Sequence, residues 1–266
     1  MKLFVSDIDG TLYWYDHKNN MGVSDSCRNY IHKWISLGNI FALATARTYL
    51  KRDDAIQDLK INVDYLGGNG AEIVYHDNTT EFITLPFAYF LEVCKWVSDH
   101  NYNATVKICV DDHFVAKDHD HYPFDHTERM RNNLINSSIY DPNRSYSDNG
   151  VNMSLLCEPS LTKMIESSLQ KLFEGRCKVL ANDIDNIDFI PLNISKSKAV
   201  EILAKHYNID MKDVIVIGDE ANDVDMFKIT RNSYCMAHSD KSIQKQANSV
   251  VELVEDAIRI EIEKIV

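Results

Sequence analysis

Two aspartates near the start of the chain form the most reactive arrangement in the sequence. Asp7 and Asp9 follow the apolar run Leu3-Phe4-Val5, which predicts a buried β-strand. If the strand continues, its alternating side chains place both carboxylates on the same side. Two adjacent carboxylates repel each other unless a cation neutralises them or one of them is protonated. Gly10 allows the backbone to turn and to approach a ligand, so the stretch indicates an acid pair that holds magnesium and attacks phosphorus.

The same Asp-x-Asp-Gly pattern also occurs in solvated turns and in calcium-binding loops. Calcium loops of the EF-hand type need further oxygen ligands at fixed positions and a glutamate at the end of the loop. Here Tyr13, Trp14 and Tyr15 follow instead, and the preceding segment is predicted to be a strand rather than a helix. These differences argue against a calcium loop, and they leave both the catalytic site and the solvated turn open.

Polar residues follow two further apolar runs of the chain. Thr45 and Arg47 come after the run that ends at Ala44, and Asp219 and Asp223 come after the run that ends at residue 217. In open parallel sheets, ligands bind beyond the carboxyl ends of the strands. The three strand ends therefore predict one shared site.

The second acidic pair and one lysine each have two interpretations. Asp219 and Asp223 are close enough in sequence to reach one cation, although Asp219 or Asn222 could instead cap the following helix. Lys196 near a helix start is electrostatically unfavourable unless it faces an anion, because a helix N-terminus carries positive partial charge. The alternative for Lys196 is an ordinary solvated surface lysine.

Composition narrows the classes of function. The formal net charge of −12 argues against sequence-independent binding to nucleic acid or to an anionic membrane. The six cysteines include no Cys-x-x-Cys pair, which is typical of reduced, buried thiols in a cytoplasmic protein. Asp7 interrupts the apolar start too early for a signal peptide, and no apolar run is long enough to span a bilayer. We expect a soluble, cytoplasmic protein, and no obligatory protein partner is indicated.

The predicted elements alternate at both ends of the chain and not in the middle. Ser24 is the predicted N-cap of a helix to Leu37, and the buried strand at 40–44 completes a βαβ unit. The alternation resumes after residue 188, with a helix over 195–207 and a strand at 214–217. The fold class is therefore α/β: a doubly wound, Rossmann-like parallel-sheet core over 1–81 and 188–266, interrupted by an α+β domain over 82–187.

These motifs resemble, in order and spacing, the four motifs of the haloacid dehalogenase superfamily. The matching features are Asp-Ile-Asp-Gly-Thr-Leu, the strand ending in Thr45, Lys196, and Gly-Asp-x-x-x-Asp at 218–223. The domain between the second and third motifs resembles the large cap of the Cof-like sugar-phosphatase branch. Residues 22–24, residues 69–71 and the tail after residue 240 also match that branch, so the resemblance covers nearly the whole chain.

The resemblance implies a magnesium-dependent phosphatase that hydrolyses a small phosphorylated metabolite, with a sugar phosphate as the expected substrate class. Asp7 would be the nucleophile that forms an aspartyl phosphate, and Asp9 would be the general acid and base. Mg²⁺ would lie between the Asp7 carboxylate, the Asp9 backbone carbonyl and Asp219, with Asp223 as direct or indirect support. The implied phosphate-binding residues are Gly10, Thr11, Thr45, Ala46, Lys196 and Asn222. Arg47 would contact the substrate.

The chain departs from the branch at three positions without losing a reactive group. Ala46 stands in place of a common glycine, Ser197 follows Lys196 where glycine is favoured, and Glu220 follows Asp219 where glycine or serine is favoured. Glu220 adds negative charge beside the expected metal and could therefore tune the choice of substrate.

Three alternative functions stay open at this point. A phosphosugar mutase shares the acid pair and a related cap, and transfer within the substrate instead of to water is not excluded by sequence. A non-enzymatic receiver module also arranges acids, threonine and lysine around magnesium, but such modules are about half this length. The third alternative is a zinc site in a histidine-rich stretch without ordered ligand spacing. Its candidate ligands are His113, His119, His121 and His126.

Overall fold

The computed structural model describes residues 1–15, 21–117, 137–181 and 184–265. The chain divides into two compact units, one formed by Met1–Glu81 with Ile194–Val266 and the other by Phe82–Asn193. Sequence analysis placed the second boundary at 187/188. The structure places it at 193/194, because the strand Asn186–Pro191 pairs with strands of the inserted unit.

The strands and helices are numbered in chain order. The strands are β1 (Leu3–Ser6), β2 (Trp14–Tyr15), β3 (Met21–Gly22), β4 (Ile40–Ala44), β5 (Asp64–Gly67), β6 (Glu72–Val74), β7 (Thr80–Phe82), β8 (Leu85–Pro86), β9 (Ala104–Val110), β10 (His113–Lys117), β11 (Ser137–Ile139), β12 (Asn149–Cys157), β13 (Cys177–Ala181), β14 (Asn186–Pro191), β15 (Val214–Gly218), β16 (Asn232–Met236) and β17 (Ser249–Val251). The helices are α1 (Asp25–Ser36), α2 (Arg52–Leu59), α3 (Phe87–Asp99), α4 (Thr162–Leu172), α5 (Lys196–His206), α6 (Val224–Lys228), α7 (Lys241–Gln244) and α8 (Val254–Glu263). Single 3₁₀ turns lie at Tyr49–Lys51, Gly68–Gly70, Met211–Asp213 and Ala221–Asp223.

The first unit is built on a sheet with the strand order β17-β16-β15-β1-β4-β5-β6-β7. The strands from β17 to β5 run parallel, and β6 runs antiparallel to β5. Chain order proceeds in one direction from β1 through β4 and in the other from β1 through β15. The predicted doubly wound core is confirmed, and its topological switch point lies at the end of β1.

Both faces of the core sheet are covered by helices, as the alternation of apolar side chains along β1 requires. Leu3 and Val5 belong to an apolar cluster with Val200 and Leu203 of α5. Phe4 points to the other face, where its ring stacks on Phe41 at 5.7 Å and meets Trp34 of α1 edge-on at 5.9 Å. Ser24 caps α1 by accepting a hydrogen bond from the Cys27 amide, as predicted. β1 is therefore fixed on both sides, which makes its carboxyl end a rigid place for reactive groups.

The inserted unit is α+β, as predicted. Its sheet has the order β11-β10-β9-β12-β14-β13, and β8 pairs with β12. All of these pairs are antiparallel except β10 with β11. Side chains from α3, α4 and one sheet face form an apolar cluster around Phe90, Ile108 and Leu169. Each unit therefore has an apolar core of its own.

Three further predictions can be compared with the structure. All six cysteines are buried and none forms a disulfide. Nδ1 of His113 lies 2.9 Å from the Asp111 carbonyl oxygen, and within the described ranges His113 belongs to no group of metal-ligating side chains. The three other histidines of the proposed zinc site, at 119, 121 and 126, lie outside the described residues. No helix in the described part of the chain is long and apolar enough to cross a membrane.

Candidate active site

The two aspartates of the first motif have different partners. Asp7 extends the pairing of β1, because its amide donates to the Ile217 carbonyl at 3.0 Å. The chain then turns, with the Tyr13 amide donating to the Ile8 carbonyl at 2.7 Å. The strand therefore ends before Asp9, and strand alternation does not set the direction of its side chain. The Asp7 carboxylate meets Lys196, whereas the Asp9 carboxylate meets Arg47.

Lys196 joins the first and last motifs. It is the first residue of α5, and the preceding Ser195 caps that helix. Its Nζ donates to Asp7 Oδ1 at 2.6 Å and to Asp223 Oδ1 at 2.7 Å, and its side chain is 2% exposed. Burial works to lower the pKa of Lys196, but Asp223 and Asp7 outweigh it and raise that pKa. Lys196 is thus a buried cation facing two anions, not a solvated surface lysine.

Three buried carboxylates converge beside this lysine. Oxygen atoms of Asp7, Asp219 and Asp223 all lie within 4.8 Å of one another. Burial is the main cause that raises the pKa of both Asp7 and Asp219, and the neighbouring Asp223 raises both further. Three ionised carboxylates and one lysine would leave two uncompensated negative charges in a buried site. Hard oxygen donors in this number suit a divalent cation such as Mg²⁺.

Glycines bring the acids close together. Gly10 has φ +78°, and a Cβ at this position would lie 2.3 Å from Asp219 Oδ2. A Cβ on Gly218 would lie 2.4 Å from the carboxyl carbon of Asp223. Thr11 donates from Oγ1 to Asp219 Oδ1 at 2.7 Å, which fixes one oxygen of that carboxylate. A side chain at Gly10 or Gly218 would therefore displace the carboxylate of Asp219 or of Asp223.

Asp223 holds the loop that follows β15. Its Oδ2 accepts the amides of Asp219 at 3.0 Å and Glu220 at 3.1 Å, while its Oδ1 accepts from Lys196. The N-cap of the turn Ala221–Asp223 is Glu220, not Asp219 or Asn222 as considered from sequence. Both oxygens of Asp223 already accept hydrogen bonds, which suits a residue that supports a metal ligand.

The second motif supplies a guanidinium to Asp9. Arg47 Nε donates to Asp9 Oδ2 at 2.7 Å, and Nη2 donates to Oδ1 at 2.5 Å. The guanidinium also lies 5.2 Å from the centroid of the Tyr13 ring. Thr45 is buried, and its Oγ1 accepts the Arg47 amide at 3.0 Å. The expected substrate residue Arg47 is therefore bound to the expected general acid in this structure.

Most of the site residues expected from the sequence contact one another in the structure. Direct hydrogen bonds connect Lys196 with Asp7 and Asp223, Thr11 with Asp219, and Arg47 with Asp9. Gly10 packs on Asp219. The other expected phosphate-binding residues lie where β4 ends, in the case of Thr45 and Ala46, and on the turn after β15, in the case of Asn222.

Two residues near the site were missed by sequence analysis. His238 Nε2 lies 3.6 Å from Asp219 Oδ2, just after β16. The rule that ligands bind at the carboxyl ends of parallel strands could have pointed to it, because β16 neighbours β15. Glu72 lies fully buried beneath the loop that carries Arg47. Its only sequence signal is an acid in an otherwise apolar strand.

Comparison with known proteins assigns the family. Residues 4–258 match the sequence profile of a family described as haloacid dehalogenase-like hydrolase. The chain belongs to this family. Solved structures of similar fold include a haloacid dehalogenase-like hydrolase from Bacteroides thetaiotaomicron, with a TM-score of 0.81, 19% identity and coverage of 100% of this chain and 99% of that one. Another is TM0651 from Thermotoga maritima, with a TM-score of 0.79, 18% identity and coverage of 100% and 97%.

Curated relatives of this hydrolase include phosphatases. The 5-amino-6-(5-phospho-D-ribitylamino)uracil phosphatase YwtE of Bacillus subtilis (strain 168) is 22% identical over 279 residues, covering 94% of this chain and 92% of the relative. The kanosamine-6-phosphate phosphatase of the same organism is 31% identical over 86 residues, covering 31% of this chain and 29% of the relative. We therefore assign the enzyme as a phosphatase of the haloacid dehalogenase-like family.

Proposed function

We propose that this hydrolase is a magnesium-dependent phosphatase that cleaves a small phosphorylated metabolite, of the sugar phosphate class, through an aspartyl phosphate on Asp7. The observation that carries the proposal is the buried contact of Lys196 with Asp7 and Asp223 beside Asp219. The net charge of −12 and the family support a small anionic substrate rather than nucleic acid. Relatives named for phosphorylated sugar-like compounds support the substrate class.

Asp7, Asp219 and Asp223 are the residues that would hold the ion, with the backbone carbonyl of Asp9 expected from the resemblance. Lys196 already occupies one oxygen of Asp7, and both oxygens of Asp223 accept hydrogen bonds. We therefore assign Asp7 and Asp219 as direct ligands and Asp223 as their support. When bound, Mg²⁺ would neutralise the carboxylates and stabilise charge on the phosphoryl oxygens.

In the first step, a carboxylate oxygen of Asp7 bonds to phosphorus while the bond from phosphorus to the ester oxygen breaks. Asp9 gives its proton to the departing alkoxide oxygen. Lys196 is the buried cation beside Asp7, where it would bind phosphoryl oxygens as their charge redistributes. Thr45 and the amides after Gly10 would bind the remaining phosphoryl oxygens.

In the second step, water attacks the phosphorus of the aspartyl phosphate and Asp9 removes a proton from that water. The bond between phosphorus and the Asp7 oxygen breaks, which returns the Asp7 carboxylate and releases inorganic phosphate. Asp9 ends the cycle protonated and ready for the next ester. Arg47, bound to both Asp9 oxygens, orients the Asp9 carboxyl group for its part in both steps.

The test is a panel of phosphorylated metabolites, rich in sugar phosphates, assayed for release of inorganic phosphate with Mg²⁺. We expect release from at least one sugar phosphate and none from the Asp7→Asn variant on the same panel. A mutase would instead return the phosphosugar as an isomer, which chromatography of the product resolves. No phosphate release from any member of the panel would contradict the proposal.

A further inference from the structure

Glu72 is a buried carboxylate that the mechanism above does not use. It opens strand β6, in front of the apolar residues Ile73 and Val74, and it is 0% exposed. Burial raises its pKa to about 7, against the opposing effect of hydrogen bonds from Tyr49 and Thr48. Burying a carboxyl group costs free energy unless its hydrogen bonds compensate for the lost hydration.

The partners of Glu72 all belong to the loop after β4. The Tyr49 amide donates to Oε2 at 2.5 Å, and Thr48 Oγ1 donates to the same oxygen at 3.1 Å. Gly67 and Gly68 leave room for the carboxyl group. A Cβ on Gly67 would lie 3.1 Å from Glu72 Oε2, and a Cβ on Gly68 would lie 3.1 Å from its carboxyl carbon.

The same loop carries the guanidinium that binds Asp9. Arg47 immediately precedes Thr48, and its carbonyl accepts the Gly68 amide at 2.8 Å. Tyr65 donates from its hydroxyl to the Thr48 carbonyl at 3.2 Å. Glu72 therefore holds one side of a short loop whose other side is held by Gly68 and Tyr65. The direction of the Arg47 side chain depends on this backbone, because its guanidinium must meet both oxygens of Asp9 at once.

We propose that Glu72 is a positioning residue for the acid–base step, acting through Thr48 and Tyr49 to hold Arg47 against Asp9. This proposal rests on the proposed function, since it assigns Asp9 as the group that protonates the leaving oxygen. The hydrogen bonds of the Glu72 carboxyl group go to Thr48 and Tyr49, whereas the Arg47 guanidinium binds Asp9. The effect of Glu72 is therefore confined to the placement of the loop, which separates it from the residues that do the chemistry.

The proposal has a kinetic signature that general loss of structure lacks. A poor leaving group needs its oxygen protonated as it departs, whereas p-nitrophenolate leaves readily without help. Phenyl phosphate has nearly the same shape as p-nitrophenyl phosphate and a poorer leaving group. The ratio of kcat/KM for p-nitrophenyl phosphate to kcat/KM for phenyl phosphate therefore reports how well Asp9 acts as an acid. Damage to the phosphoryl site lowers both values and leaves the ratio unchanged.

The experiment measures this ratio, with Mg²⁺, for the wild type and for variants at Glu72. Glu72→Ala removes both acceptors, and we expect it to raise the ratio about tenfold, a part of the hundredfold or more that acid–base catalysis contributes. Glu72→Gln keeps an acceptor for the Tyr49 amide and should restore the ratio to within about twofold of the wild type. Thr48→Val, which removes one donor and keeps the shape, should give an intermediate ratio even if Glu72→Ala does not fold.

A second arm asks whether Glu72 acts through Arg47. If it does, the ratio for Arg47→Ala and the ratio for Arg47→Ala combined with Glu72→Ala should be the same. An unchanged ratio in folded Glu72→Ala and Thr48→Val, or a further tenfold rise in the double variant, would overturn the positioning role while leaving the proposed function intact. A wild-type protein that hydrolyses neither ester and releases no phosphate from any member of the metabolite panel would instead overturn the proposed function, and this proposal with it.

Discussion

Buried polar groups at the carboxyl edge of the core sheet differ in their partners from two buried hydroxyls on the sheet of the insert. At the carboxyl edge of the core sheet, Lys196, Asp7 and Asp223 are buried and bind one another directly. In the inserted unit, the hydroxyls of Thr105 and Ser154 are buried, and neither has a hydrogen-bond partner among the described residues. Neighbouring residues of the same strands, such as Val106, belong to the apolar cluster on the other sheet face. The charged groups at this edge of the core sheet thus bind one another, whereas these two hydroxyls of the insert bind no described residue.

The difference suggests a division of labour between the units. Charged groups that pair in a buried site must be held at fixed positions. The backbone of the central parallel strands holds them in this way. The three charged groups all belong to the core, so side chains of the insert can differ without altering the contacts among them. We propose that the core performs the phosphoryl transfer and that the insert contributes to substrate choice.

The largest effect is expected at Asp7. Asp7→Asn keeps the shape of the side chain and removes the nucleophile, so kcat should fall about a thousandfold or more. Asp225→Asn, an equivalent change at a residue 61% exposed, is the matched control and should leave kcat unchanged. Circular dichroism of both variants checks the fold. An Asp7→Asn protein that retains more than a few per cent of wild-type turnover would contradict the assignment of the nucleophile.

The next effect concerns the metal. A chelator should remove activity, and added Mg²⁺ should restore it. Asp219→Ala should abolish this response, and Thr11→Val, which frees one Asp219 oxygen, should raise the Mg²⁺ concentration for half-maximal activity about tenfold. Thermal melting gives an independent measure, since Mg²⁺ should raise the Tm of the wild type more than that of Asp219→Ala. Full activity in excess chelator would contradict the metal site.

Replacement of Phe82–Asn193 by a short Gly/Ser linker tests the insert. The core retains its own apolar cluster, so we expect it to fold and to hydrolyse p-nitrophenyl phosphate. Its discrimination among sugar phosphates, measured as ratios of kcat/KM, should fall about tenfold or more. Circular dichroism and thermal melting come first. A folded core with unchanged preferences would show that the insert does not choose the substrate.

The smallest effect is a pH dependence of stability from Glu72. Its pKa is raised from the ordinary 4.5 to about 7 in the folded protein. The folded state therefore favours the neutral carboxyl group. The stability that this group contributes is complete below pH 4.5 and is lost as the pH rises through 7, by up to about 3 kcal/mol.

Glu72→Gln lacks this titration and serves as the reference. The free energy of unfolding of the wild type, measured by urea denaturation, should decline relative to Glu72→Gln between pH 4.5 and 7.5. A constant difference across that range would show that Glu72 is not buried as the structure indicates.

Local patterns were sufficient to predict much of the core. The strand Ile40–Ala44 and the Ser24 cap of α1 are confirmed as predicted, because an unbroken apolar run and a capping hydroxyl are local signals. The second boundary of the insert was misplaced, because β14 is assigned to a unit only by its pairing with β12 and β13. Sequence periodicity carries no information about such long-range partners.

The site was predictable in its residue types and less so in its contacts. Shared positions at strand ends indicated Asp7 and Asp219, and an unfavourable charge near a helix start indicated Lys196. The pairing of Arg47 with Asp9 was not predicted. It depends on the turn that ends β1 before Asp9 and on the loop after β4, whose Arg47 carbonyl accepts the Gly68 amide. Glu72 was missed for the same reason: its hydrogen-bond partners lie more than twenty positions away in the chain.

The proposed mechanism depends on covalent phosphorylation of Asp7, and this aspartyl phosphate can be trapped. The Asp9→Asn variant lacks the base for the second step, so mixing it with p-nitrophenyl [³²P]phosphate and Mg²⁺ should slow hydrolysis more than phosphorylation. After an acid quench, we expect label on the denatured chain approaching one phosphoryl group per chain, released by hydroxylamine as acyl phosphates are. Asp9→Asn combined with Asp7→Asn should carry none. The wild type could hydrolyse the ester while both the wild type and Asp9→Asn carry no more acid-stable label than the double variant. That result would contradict a phosphorylated Asp7.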